Sequence, residues 1–245
     1  MLKLRDCLPV KMRFLGVAAT LSATHLALAA AANSSSTLFN GGTIVAFDRE
    51  KEALRVIRNG AVLVEGNRIT GVFDAPQANN TGGVDVVDIT GKILTTGFID
   101  THRHGWQTAF KTLASNTSLV EYFGRYGEYV TGQFWTADDV YISQLAGLYE
   151  ALNAGVTTTL DHAHHTWSNA TAEAGLRASI DSGARVFWAY AFHDVPNVTT
   201  VAEQLPHFRD LFKKGDFRGT PTSLAIAYDA WAPGPQAEAI IALAR

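Results

Sequence analysis

The order of apolar and polar positions divides the chain into two textures. From about Thr37 to Leu94 short Val- and Ile-rich runs, "GGTIVAF", "AVLVEGNRITGVF" and "VDVVDITGKIL", are separated by Gly and Asn. Such runs predict a small β unit of about five strands. Gly66-Asn67, between Ala61–Val64 and Arg68–Phe73, is a hairpin signal. After Gly97 the pattern alternates between strand and helix. Strands are predicted at 97–101, 156–160 ("VTTTL"), 185–192 ("RVFWAYAF") and 223–228 ("SLAIAY"). Ser118 with Glu121 reads as a capping box for a short helix. Thr136 caps a longer one, on which Leu145, Leu148, Tyr149 and Leu152 form the apolar stripe, with Gly155 at its end. A helix over about 170–182 stops at Gly183. Thr200 and Glu203 cap another that tolerates Pro206 and ends at Gly215, and Pro235 opens the last.

Strands alternating with helices imply parallel pairing through crossovers. The expected organisation is a signal over 1–32, a β-rich unit over 37–95, and a partial barrel of four strands over 96–245. The segment from Gly97 holds about 150 residues, whereas a complete eight-stranded barrel takes roughly 250. The last helix runs into "IIALAR" without a Gly or Pro stop, so the chain is expected to be an incomplete barrel.

Composition narrows the class. The 245 residues carry a net charge of −3, with 47% hydrophobic and 18% charged positions, which suits a globular protein with a sizeable core. No basic block suggests a nucleic-acid partner. The only cysteine is Cys7, which excludes an internal disulfide and a multi-thiolate metal site. Lys3, Arg5, Lys11 and Arg13 precede the apolar stretch Phe14–Ala32, with small residues at Ala30 and Ala32. That order reads as a cleavable export signal forming an unpacked helix, with an uncleaved anchor or an unusual soluble N-terminus as alternatives. Five N-x-S/T sequons, at Asn33, Asn79, Asn116, Asn169 and Asn197, agree with a secretory route and are glycosylation candidates. No stable membrane span is expected after signal cleavage.

The candidate chemistry centres on "GFIDTHRHGW" (97–106). On a strand, side chains at i and i+2 share a face, so Phe98, Asp100, His102 and His104 are expected on one side. Two imidazoles at a strand end can hold a divalent metal, or can be polar strand-end residues without a ligand. In "LDHAHHTW" (160–167), Asp161, His162, His164 and His165 follow the next strand. His162 and His164 are candidates for substrate contact or a second ligand set, or else orient the loop. Trp106 and Gln107 are candidates for stacking and hydrogen bonding to substrate, or pack the loop. His193 and Asp194 after the third strand, and Asp229 and Trp231 after the fourth, are further candidates for substrate contact. His207, mid-helix, is expected at the surface.

"GFIDTHRH" after a small β unit, followed by "YEALNAGVTTTLDH" (149–162), resembles the metal-dependent amidohydrolase superfamily. The similarity is to the branch of triazine hydrolases, cytosine and guanine deaminases and imidazolonepropionase, and it runs from about Thr37 to Arg245. It implies an α/β fold: a β-rich, sandwich-like unit followed by the first half of a TIM-type barrel. It also implies one divalent metal, zinc or iron, at His102 and His104. That metal would activate water against a carbon–nitrogen bond of a small molecule. The superfamily's further ligands, two histidines and a proton-shuttling aspartate on later strands, have no counterpart here. The resemblance therefore implies an incomplete site, with a non-catalytic remnant or binding fragment as the alternative reading. Asp161 fits an acidic position expected to make a structural hydrogen bond. Thr96 stands where Pro is usual. A full-length form could be homo-oligomeric.

Overall fold

The computed structural model describes residues 36–78, 82–230 and 232–245. The expected signal over 1–32, with its helix at Phe14–Ala32, and Asn33, Asn79 and Trp231 lie outside the described residues. Contacts divide the chain into one compact unit ending at Thr95 and a second over Thr96–Arg245.

The first unit is a five-stranded mixed sheet. β1 (Ser36–Asp48) pairs antiparallel with β2 (Ala53–Glu65) and parallel with β4 (Val84–Asp88) and β5 (Ile93–Leu94). β3 (Arg68–Phe73) completes the hairpin with β2, closed at Gly66-Asn67 where Glu65 faces Arg68. Gly66 has a φ of 60°, the left-handed conformation such a turn needs. Ile44, Ile57, Val62 and Ile89 form its core.

The second unit is a four-stranded parallel sheet in sequence order: β6 (Phe98–Arg103), β7 (Val156–Ala163), β8 (Arg185–Phe192) and β9 (Ser223–Tyr228). The helices are α1 (Leu119–Arg125), α2 (Glu128–Thr131), α3 (Ala137–Asn153), α4 (Asn169–Asp181), α5 (Val201–Lys214) and α6 (Pro235–Leu243). Side chains at Ser118, Thr136, Ser168 and Thr200 cap α1, α3, α4 and α5 through capping boxes, which satisfies amide groups that a helix start leaves open. Alternate residues of β8, Val186, Trp188, Tyr190 and Phe192, pack with Leu148, Leu176, Phe208 and Leu211 of the helices. Burying each such side chain contributes about 1.5–3 kcal/mol. Leu160 and Phe187, paired in register, remain partly exposed.

Three expectations change. The buried stripe of α3 is Val140, Ser143, Gln144, Gly147, Leu148 and Ala151, not the stripe through Tyr149 and Leu152, which are exposed. Small and polar residues face inward because Gln144 reaches a buried carboxylate on β7. His207 is buried, not at the surface. It lies on the inner face of α5 with Gln204, Phe208 and Leu211, within 3.3 Å of the Tyr190 hydroxyl and 3.4 Å of Glu173. Strand β6 does not alternate evenly. The register shifts between Asp100 and Arg103, an irregularity that re-aims side chains. Asp100 sits 3.9 Å from Arg103 and accepts the His102 backbone amide at 3.3 Å.

Candidate metal centre

Each strand of the second unit is followed at once by a polar side chain. His104 follows β6, His164 follows β7, His193 follows β8 and Asp229 follows β9. All four line one cleft of about 750 Å3, together with His102, His162, Gln107, Tyr122, Glu128 and Tyr129. The C-terminal ends of parallel strands gather there, where barrel folds place their chemistry.

Asp161 sets the geometry of the first two strands. Its carboxylate is fully buried and accepts the Gly105 amide at 2.9 Å and the Gln144 side-chain amide at 2.6 Å. A Cβ on Gly105 would collide with the Gln144 side-chain amide, so a larger residue there would displace the group that holds Asp161. Burial raises the Asp161 pKa, against the lowering effect of these two hydrogen bonds and of the nearby His104 and Arg103. Arg103 points to α3, where its guanidinium donates to the Gly147 carbonyl at 2.8 Å. His102 and His104 are left together on the cleft side.

Their geometry fits a metal. His104 Nδ1 lies 3.0 Å from the His162 carbonyl oxygen. A carbonyl only accepts, so Nδ1 carries the proton and Nε2 presents a lone pair. His104 Nε2 is 3.2 Å from His102 Nε2. Two nitrogens on one tetrahedral zinc, at Zn–N of about 2.0–2.1 Å, sit about 3.3 Å apart. Anchoring a ligand histidine through its other nitrogen is the usual way such rings are oriented. The donor atoms of His102, His104 and His162 all lie within 4.8 Å of one another.

Trp106 is fully buried and does not line the cleft. It packs edge-on against Trp135 and Trp167, with centroids at 4.8 and 5.1 Å. Its indole N–H donates to His164 Nε2 at 3.3 Å. Because indole only donates, His164 Nε2 must accept, which places the proton on Nδ1. That atom lies 3.1 Å from Glu128 Oε2. Burial lowers the His164 pKa to about 4, against the raising effect of Glu128. At neutral pH the ring is therefore neutral, and the contact is not an ion pair. Burial pushes the Glu128 carboxyl up, but the hydrogen bond and charge of His164 outweigh it and hold it below its ordinary value.

Gln107 lines the cleft, with its amide engaged by the Tyr122 hydroxyl at 2.9 and 3.0 Å. His162 Nε2 is 3.3 Å from Asp229 Oδ2. His193 donates through Nδ1 to the Ala191 carbonyl at 3.2 Å, and its buried Nε2 has no partner among the described residues. Asp194 accepts the Val201 amide at 2.7 Å at the start of α5 and is not a lining residue of the cleft. Glu128 and Gln144 were missed by sequence reasoning. One lies in a four-residue helix and the other on a stripe that looks polar, so neither carries a local signal.

No protein-family model matches the chain. It is 29% identical over 183 residues to a 5-methylthioadenosine/S-adenosylhomocysteine deaminase of Symbiobacterium thermophilum, covering 72% of this chain and 38% of that protein. Its fold is similar to a guanine deaminase from C. acetobutylicum, solved with bound guanine in the active site, at a TM-score of 0.71 and 13% identity, covering 85% of this chain and 50% of that one. It is also similar to an adenosine deaminase from Xanthomonas campestris with bound zinc, at a TM-score of 0.60 and 18% identity, covering 79% and 43%. The chain thus spans half or less of the length of each.

His165 provides a test of the buried polar layer. Neither ring nitrogen has a partner among the described residues, and Nε2 would lie 1.9 Å from a Cβ on Gly175. Burial lowers its pKa to about 3, so the folded chain refuses a proton that an unfolded chain binds below about 6.5. Its contribution is constant above that value and turns unfavourable as pH falls toward 3. Urea unfolding of wild type and His165→Leu should therefore show the variant gaining relative stability from pH 7 to pH 4.5. A pH-independent difference would contradict the assignment.

Proposed function

We propose, from the premise that this chain belongs to the metal-dependent amidohydrolase superfamily, that it is part of a hydrolase of carbon–nitrogen bonds, a deaminase of a small nitrogen-rich molecule. The observation that carries this reading is the His102–His104 pair, with Nε2 atoms 3.2 Å apart and His104 anchored through Nδ1. A divalent metal held there, zinc in preference to iron for its nitrogen ligands, would supply an activated water. The rest of the cleft binds and orients. Its volume of about 750 Å3 is in the range of small-molecule sites. Glu128, 3.1 Å from His164 Nδ1, offers an acceptor for N–H or O–H groups, and His193 Nε2 offers a second. The Trp106 cluster packs behind His164 and supports that wall.

One observation favours the alternative of a non-catalytic portion. β6 and β9 are the two open edges of the parallel sheet, and Phe98 and Ile99 on β6 are exposed. Turnover is therefore assigned to a protein that also carries the later barrel strands and their ligands. Ammonia release from an adenine nucleoside, guanine and an aminotriazine tests this. A chain extended through those strands should turn over at least one of them, and His102→Ala or His104→Ala should lower the rate at least about 100-fold. The 245-residue chain alone should release none. Full activity of either variant would remove the metal role, and turnover by the short chain would remove the need for later strands.

The same proposal includes export. The basic and apolar N-terminal order supports it, as does the exposure of Asn116, Asn169 and Asn197. Among the described residues no helix is long and apolar enough to cross a membrane. Material from a secreting eukaryotic host should begin between Ala29 and Ser34 and shift in mass on glycosidase treatment. Retention of Met1 with no glycan would contradict export.

A further inference from the structure

Three imidazoles converge in the cleft, one more than the H-x-H pair supplies. The ring centroids of His102, His104 and His162 are 4.8, 5.3 and 5.2 Å apart. Three imidazoles on one tetrahedral zinc, at Zn–N of about 2.0–2.1 Å, place their centroids about 5 Å apart. The three rings therefore already occupy such positions, although the donor nitrogens spread to as much as 4.8 Å against about 3.3 Å in a bound set. His162 Nε2 meets Asp229 Oδ2 at 3.3 Å, which leaves Nδ1 as the nitrogen for a metal. Asp229 is largely exposed and free to follow a rotation of the ring about its soft terminal torsion. His162 is also tied to the pair through its backbone, since its carbonyl accepts the His104 Nδ1–H.

We propose that His162 is a third protein ligand of the divalent metal held by His102 and His104, with Asp229 as the carboxylate that orients its ring. The inference rests on the reading of the H-x-H pair as a metal site and extends it to β7. Three protein ligands and one open position are the arrangement of a catalytic zinc. A carboxylate on the ligand's second nitrogen fixes its tautomer and raises its basicity. The 245-residue chain would thus hold metal with its own residues.

The test is zinc affinity by chelator competition, with the visible spectrum of the cobalt(II)-substituted chain and circular dichroism to check folding. Wild type should bind one equivalent and show the intense bands of four-coordinate cobalt. His162→Ala and the polar replacement His162→Asn should each lose at least about 100-fold in affinity and shift to the weak bands of higher coordination, and Asp229→Asn should lose about 10–100-fold. If both His162 variants fold, keep wild-type affinity and leave the cobalt spectrum unchanged while His102→Ala abolishes binding, the third ligand is wrong and the H-x-H reading stands. If His102→Ala also leaves zinc binding unchanged, or wild type binds none, both readings fail.

Discussion

The arrangement of the cleft depends on a buried hydrogen bond from the Gly105 amide to the Asp161 carboxylate. A carboxylate with no exposed surface is costly unless its oxygens are engaged. Here one oxygen takes the Gly105 amide and the other the Gln144 side chain. Those two bonds tie the end of β6 to β7 and to α3. Once Asp161 and Arg103 are committed to the helix side, His104 and His162 have only the cleft side left. The gathering of His102, His104 and His162 on one side is thus a consequence of satisfying one buried carboxylate.

Around that tie, buried aromatic and polar groups determine which nitrogen of each ring is free. The His162 carbonyl leaves His104 Nε2 without a proton, and the Trp106 indole does the same for His164 Nε2. The two rings differ in use. His104 shows its lone pair to the cleft, while His164 accepts the Trp106 indole at Nε2 and sets Nδ1 beside Glu128 at the wall. Trp106, read from the sequence as either a substrate contact or loop packing, is buried behind the cleft and dictates a tautomer there.

The sequence made the fold readable where side-chain chemistry is local. β8 and β9 begin and end as the apolar runs do, and the capping boxes at Ser118, Thr136 and Thr200 mark three helices. The H-x-H pair was legible for the same reason. What was not legible is set by pairing across the chain. The register shift in β6 comes from its fit to β7, and nothing in "FIDTHRH" marks it. Gln144 reads as an exposed polar residue until Asp161 is placed opposite, and His207 reads likewise until Tyr190 is.

The central claim is that the Asp161 tie preorganises the histidines, and zinc affinity in variants of Asp161 tests it most directly. Asp161→Ala removes both acceptors and should lower affinity about 10–100-fold, as loss of an outer-shell partner does. Asp161→Asn keeps a carbonyl for Gly105 and can donate its amide to a flipped Gln144, whose Oε1 has no partner among the described residues. It should stay close to wild type. Equal zinc affinity in wild type, Asp161→Ala and Asp161→Asn would contradict the account.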